Sequence, residues 1–153
     1  MEIKYSVKDR NNILPFNKWA PDYSIDFNYN KETDSTITRS DEWSSIGNYS
    51  LKATSTEVDY YRQFIGVIHN VQEDGIFEGS VTVYNPMTNA QVLLYNRTTQ
   101  GISIVTIPKS DTPTRSSVQS NITGTNALEV RVRINPSEIG QYIYVDDFKL
   151  TLQ

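Results

Sequence analysis

Two aspartates stand side by side in the run "GQYIYVDDFKLTL" (140–152). Neighbouring residues on a strand point to opposite faces, so a strand here must turn one carboxylate toward its packed side. Parity assigns that role to Asp146, on the face of Tyr144, Phe148 and Leu150, all expected to face inward. An inward carboxylate is costly unless something neutralises it. Two aromatic clusters carry a different chemistry. Trp43 sits in the polar run "SDEWSS" (40–45), and "EVDYYRQF" (57–64) sets Tyr60 and Tyr61 beside Arg62 and Gln63. A flat ring next to planar amides or a guanidinium can stack on a ligand's apolar face and hydrogen-bond its polar edge.

Other chemistries find little support. The chain has no cysteine and one histidine, His69. That removes thiol nucleophiles, disulfide frameworks and cysteine zinc sites. A single histidine makes neither a zinc site nor a Ser-His-Asp triad by itself, and His69 is expected at the surface or a strand edge. The 18 acidic residues include no pair framed by a glycine loop, so a glycosidase dyad is not indicated and no enzymatic activity is expected. Net charge is −4, and the 14 lysines and arginines are dispersed, which speaks against nucleic-acid binding. No apolar run approaches the roughly 18 to 20 residues of a membrane span, and "MEIKYSVKDRNN" lacks the apolar core of a secretory signal.

These side chains are positioned by strands. In "ALEVRVRIN" (127–135), Leu128, Val130, Val132 and Ile134 share one face and Glu129, Arg131 and Arg133 the other. That alternation predicts one packed face and one wet face. "YSIDFNYN" (23–30) and "YSLKAT" (49–54) alternate similarly, and further strands are expected within 62–71, 76–85, 90–96, 101–107 and 114–122. Breakers separate them, including Asp74-Gly75, Asn85-Pro86, Pro108 to Pro113, Gly124 and Asn135-Pro136. "NPSEIG" has room for one helical turn. Eight to ten strands at this spacing predict an all-β fold, a two-sheet antiparallel β-sandwich or jelly roll. Residues 1–10 read as a leader or first edge strand, and 11–153 as a single domain.

In this order the segments resemble the galactose-binding-like jelly rolls, which include carbohydrate-binding modules of the family 4, 9 and 22 type. "NNILPFNKW" is similar to the family's opening Asn-Leu-Leu-Pro with a following Trp, and "GNYSLKAT" to its Gly-x-x-Ser-Leu-Lys strand. "YYRQFIGV" and "FEGSVTVYN" resemble the next strand pair, and "ALEVRVRI" with "YIYVDDFKLTL" the ending. The resemblance implies the same fold and a structural calcium ion held by Asp146. The family often has a Gly-Phe-Glu near its start whose Glu also binds the ion; here "PFNKW" leaves Asn17 as the nearest oxygen donor. A backbone donor or an arginine could satisfy Asp146 instead.

The resemblance also implies a poly- or oligosaccharide partner. Trp43 is either the stacking platform or a cap on one end of the sandwich. Tyr60 and Tyr61, placed on a strand, would face opposite ways, and beside Arg62 or Gln63 either could stack on a sugar; an ordinary cross-strand pair is the alternative. Trp19 matches a packed position, and Tyr142 and Tyr144 are expected at rim and core. The function expected is non-catalytic binding of cell-wall, capsular or other polysaccharide. The alternative is a structural, assembly or host-recognition module of a phage tail or surface adhesin. Either implies an extracellular, cell-surface or virion setting, with no nucleic acid and no membrane insertion, within a larger multidomain protein or virion assembly.

Overall fold

The computed structural model describes residues 29–31, 35–45, 50–58 and 60–153. Expectations for 1–10, Asn17, Trp19 and most of 23–30 lie outside them. Ten strands follow in order: β1 (Tyr29–Lys31), β2 (Ser35–Ser40), β3 (Ser50–Ser55), β4 (Gln63–Val71), β5 (Gly75–Tyr84), β6 (Asn89–Asn96), β7 (Ile102–Ile107), β8 (Thr114–Ile122), β9 (Asn126–Asn135) and β10 (Tyr142–Leu152). They pair into two five-stranded sheets, β1-β4-β9-β6-β7 (sheet A) and β2-β3-β10-β5-β8 (sheet B). Every pairing is antiparallel. The fold is the expected jelly-roll β-sandwich, and no helix occurs among the described residues. "NPSEIG" forms a turn between β9 and β10, with Gly140 at φ 92°. Strand β2 escapes the sequence reading because Ile37 is the only apolar residue in "STITRS".

Period-2 alternation builds the core. Leu128, Val130, Val132 and Ile134 of β9 are buried with Ile65 and Val67 of β4 and Val92 and Leu94 of β6. Sheet B contributes Phe77, Val81, Val83, Ile143, Val145, Phe148, Leu150 and Leu152 to the same cluster. Each such side chain, fully buried, contributes roughly 1.5–3 kcal/mol. The sheets approach closely at Gly79, where a Cβ would lie 3.0 Å from Val130 Cγ2 and 3.4 Å from Leu94 Cδ1. His69, expected at a surface or edge, is buried on the inner side of β4 opposite Leu128. It shares the parity of Ile65, Val67 and Val71, and the strand's face decides its place.

The paired aspartates break the alternation. Tyr144, Val145 and Asp146 pair with Tyr84, Val83 and Thr82, but Lys149 pairs with Ser80, so β10 has one residue more than β5 between these points. That is a β-bulge, and Asp147 within it adopts φ 55°. The extra residue reverses parity. Ile143 and Val145 face the core before it, and Phe148, Leu150 and Leu152 after it. Asp146 and Tyr144 therefore lie on the outer face of sheet B, not inward with Phe148 and Leu150 as strict alternation required.

Strand β7 forms one edge of sheet A. Ile102 and Ile104 are about half exposed, and no charged residue occurs from Gly101 to Ile107.

Candidate functional site

The run holding Trp43 folds over the outer face of sheet B. Trp43 packs at a tilt on Tyr84 and Tyr144, ring centroids 5.5 and 6.1 Å away, and its carbonyl accepts a hydrogen bond from Ser50 Oγ. Tyr84 and Tyr144 stack at 5.8 Å. The Tyr144 hydroxyl donates to Glu42 at 2.8 Å, and Lys52 pairs with the same carboxylate while lying over the Tyr142 ring. The hydrogen bond from Tyr144, and then Lys52, hold the Glu42 carboxyl below its ordinary value. Burial first, and then Glu42, push the Tyr144 phenol above its own. Trp43 thus covers the sheet, and its rings and polar neighbours are engaged with one another. Tyr144, expected in the core, is buried beneath this loop on the outer face.

Asp146 ends the same row and is fully buried. Its carboxylate accepts the amide N–H groups of Ser45 and Asp147, each at 2.8 Å. Arg115 clasps the bulge beside it, donating to Ser80 and Thr82 and pairing with Asp147 at 3.2 Å. The described residues contain no group of three His, Cys, Asp or Glu that could hold a metal ion.

Tyr60 and Tyr61 do not lie on a strand. They belong to the loop that leads from β3 into β4, with the Tyr61 backbone at φ 54° and the two rings edge to face at 4.9 Å. Parity therefore does not govern them: Tyr60 is 77% exposed and Tyr61 half-buried. Arg62 is exposed. Gln63 turns inward and is fully buried, accepting the Thr56 amide at 3.1 Å and donating to the Glu57 carbonyl at 2.7 Å. In this position, on the inner side of the strand, it clasps the loop that carries Tyr60 and Tyr61.

A site that the sequence reading missed lies on the outer face of sheet A. Three cross-strand rows build it: Phe64–Arg133–Gln91, Gly66–Arg131–Leu93 and Ile68–Glu129–Tyr95. The face of Glu129, Arg131 and Arg133, expected to be wet, is largely closed: Glu129 is fully buried and Arg131 8% exposed. Arg131 Nε and Nη2 donate to the two Glu129 oxygens at 2.8 and 3.0 Å, and Arg97 Nη1 donates to Oε1 at 2.9 Å. The Arg131 guanidinium also lies over the Phe64 ring at 3.9 Å and the Tyr95 ring at 4.5 Å. Glu129 occupies the space above Gly66, where a Cβ would meet its Oε2 at 1.9 Å. A guanidinium held by a carboxylate and two rings is fixed in place. Phe64, Tyr95, Gln91 and Arg133 around it are partly exposed. The rings, the amide and the guanidinium groups of this face offer stacking and hydrogen bonding.

Two signals in the sequence point to this site. Gly66 interrupts an apolar strand, which marks a close approach, and alternating acid and base in "EVRVR" places opposite charges on one face.

No known protein-family profile matches the chain, and no curated protein matches it in sequence. Solved structures match it in shape. The xylan-binding CBM22-1 domain of Paenibacillus barcinonensis Xyn10C superposes with a TM-score of 0.60 at 11% identity, over 99% of this chain and 97% of that one. TmCBM61, solved with β-1,4-galactotriose, gives 0.59 at 13% identity, over 95% and 100%. The fold is that of the jelly-roll carbohydrate-binding modules. The enzymatically active domain of bacteriophage CBA120 tailspike protein 4 gives 0.54 at 12% identity, with 82% of this chain spanning 19% of that one.

Proposed function

We propose that the protein is a non-catalytic carbohydrate-binding module whose ligand lies on the outer face of sheet A. The observation that carries this reading is the pair of partly exposed rings, Phe64 and Tyr95, set around the fixed Arg131 with Gln91 and Arg133 beside them. Rings on paired strands supply a rigid platform for the apolar side of a pyranose, and the amide and guanidinium meet its hydroxyls. Tyr60, Tyr61 and Arg62, in the loop that leads into Phe64, would supply further stacking and hydrogen bonds to the same ligand. The likeness to sugar-binding modules supports the same reading. It implies a cell-wall, capsular or other polysaccharide partner and an extracellular, cell-surface or virion setting. No helix among the described residues is long and apolar enough to cross a membrane. The likeness to a phage tailspike domain favours a second reading, a host-recognition or assembly module.

A glycan panel tests the proposal. Phe64→Ala is expected to weaken the best ligand by at least about 10-fold, the loss typical of a truncated aromatic anchor, with an unchanged circular dichroism spectrum. Unaltered affinity in Phe64→Ala and in Tyr95→Ala would remove the site from this face.

Calcium enters the reading through Asp146. This is the only proposed ligand among the described residues, and its oxygens already accept two amides, so it is a sparse donor set for a hard cation. Further donors would come from outside the described residues. The ion's role would be to tie the Trp43 loop to β10, away from the sugar, read as a melting temperature in calcium against EDTA.

A further inference from the structure

Among the described residues, the outer face of sheet A carries three guanidinium groups, Arg97, Arg131 and Arg133, and one carboxylate, Glu129, within a chain of net charge −4. Glu129 is shared by Arg97 and Arg131. Arg133 has no such arrangement. It stands between Phe64 and Gln91 in its cross-strand row and, among the described residues, makes neither a hydrogen bond nor an ion pair. Half-burying a guanidinium without a bonded anion costs desolvation, which the nearby Glu129 charge offsets only in part. Burial first, and the like charge of Arg131 second, push the Arg133 pKa down. An anion seated beside Arg133 would relieve both.

Resting on the reading that this face binds glycan, we propose that the glycan is acidic, a uronic-acid-containing saccharide whose carboxylate pairs with Arg133 while its ring stacks on Phe64. The planar guanidinium fork matches a planar carboxylate through two parallel N–H···O bonds. A uronate carboxylate is attached directly to the pyranose ring and stays near its plane, so one residue can engage ring and fork together. A sulfate ester is tetrahedral and stands off through a bridging oxygen, which fits that paired contact less well.

Titration calorimetry on the full chain tests this with three ligands: a uronic-acid oligosaccharide, the same oligosaccharide with its carboxylates reduced to alcohols, and a sulfated one of equal length. The uronate form is expected to bind about 10- to 100-fold tighter than the reduced form, the range of one charge-assisted bidentate contact. Arg133→Gln is expected to weaken the uronate form much more than the reduced form, so that the preference between the two ligands falls to within about 2-fold. Arg133→Lys, which keeps the charge and loses the fork, is expected to fall between. Circular dichroism confirms that each variant is folded. Equal binding of uronate and reduced forms overturns the acidic assignment and leaves the sugar site standing. Tighter binding of the sulfated ligand overturns the carboxylate, and binding of none overturns both proposals.

Discussion

Among the described glycines, Gly66 is the one at which an added Cβ meets another atom most closely. A methyl group there would sit 1.9 Å from Glu129 Oε2, so the carboxylate would have to leave Arg131 or the strands would have to part. Disturbing a buried ion pair costs about 3–5 kcal/mol when one partner is stranded, and Arg131 is nearly as buried as Glu129. Gly66→Ala is therefore expected to lower unfolding stability by several kcal/mol on that scale, measured by urea denaturation; a loss below about 1 kcal/mol, the ordinary effect of a point change, would show that Glu129 moves freely. The parity of Glu129 and Arg131 was legible in "LEVRVR", but their burial was not. Whether a face is wet depends on its neighbours across the sheet. Those neighbours, Phe64, Gly66 and Tyr95, come from strands remote in sequence. The inward position of Gln63 was hidden for a related reason, since its bonds to Thr56 and Glu57 depend on how the loop folds.

Among elements, β10 and the Trp43 loop form one unit, joined by the Ser45 amide on Asp146 and by Tyr144 on Glu42. The calcium proposal belongs to this junction. It expects a higher melting temperature in millimolar calcium than in EDTA, and loss of that difference in Asp146→Asn, which keeps an acceptor for Ser45. Equal melting in calcium and EDTA for the unaltered protein would leave the amides of Ser45 and Asp147 as described partners and withdraw the ion. The bulge had a sequence signal. The apolar positions are odd at Ile143 and Val145 and even at Phe148, Leu150 and Leu152, a change of phase that an unbroken strand cannot contain. Assigning the inward role to Tyr144 hid it. The Trp43 loop was less legible, since a tryptophan among polar residues suits both a platform and a cover, and its packing on Tyr84 and Tyr144 joins strands remote in sequence.

For the whole molecule, the sandwich was readable because strands buried on one face write their own period into the chain, as β9 does from Leu128 to Ile134. The pairing order of the sheets was not, since β4 and β9 meet although residues 72–125 separate them, with nothing local to announce it. Strand β7 was recognised as a strand, but its place at the edge has a consequence for the molecule in solution. Its unpaired flank offers amides and carbonyls to any extended segment, and neither lysine nor proline interrupts the run from Gly101 to Ile107. Sedimentation velocity is expected to show a mass that climbs with concentration in the parent protein and stays constant in Ile104→Lys; a parent that remains a monomer when concentrated would mean the flank is shielded. Where many copies are crowded on one surface, such a flank would let them align side by side, so that weak individual grips on a polymer act together as a row.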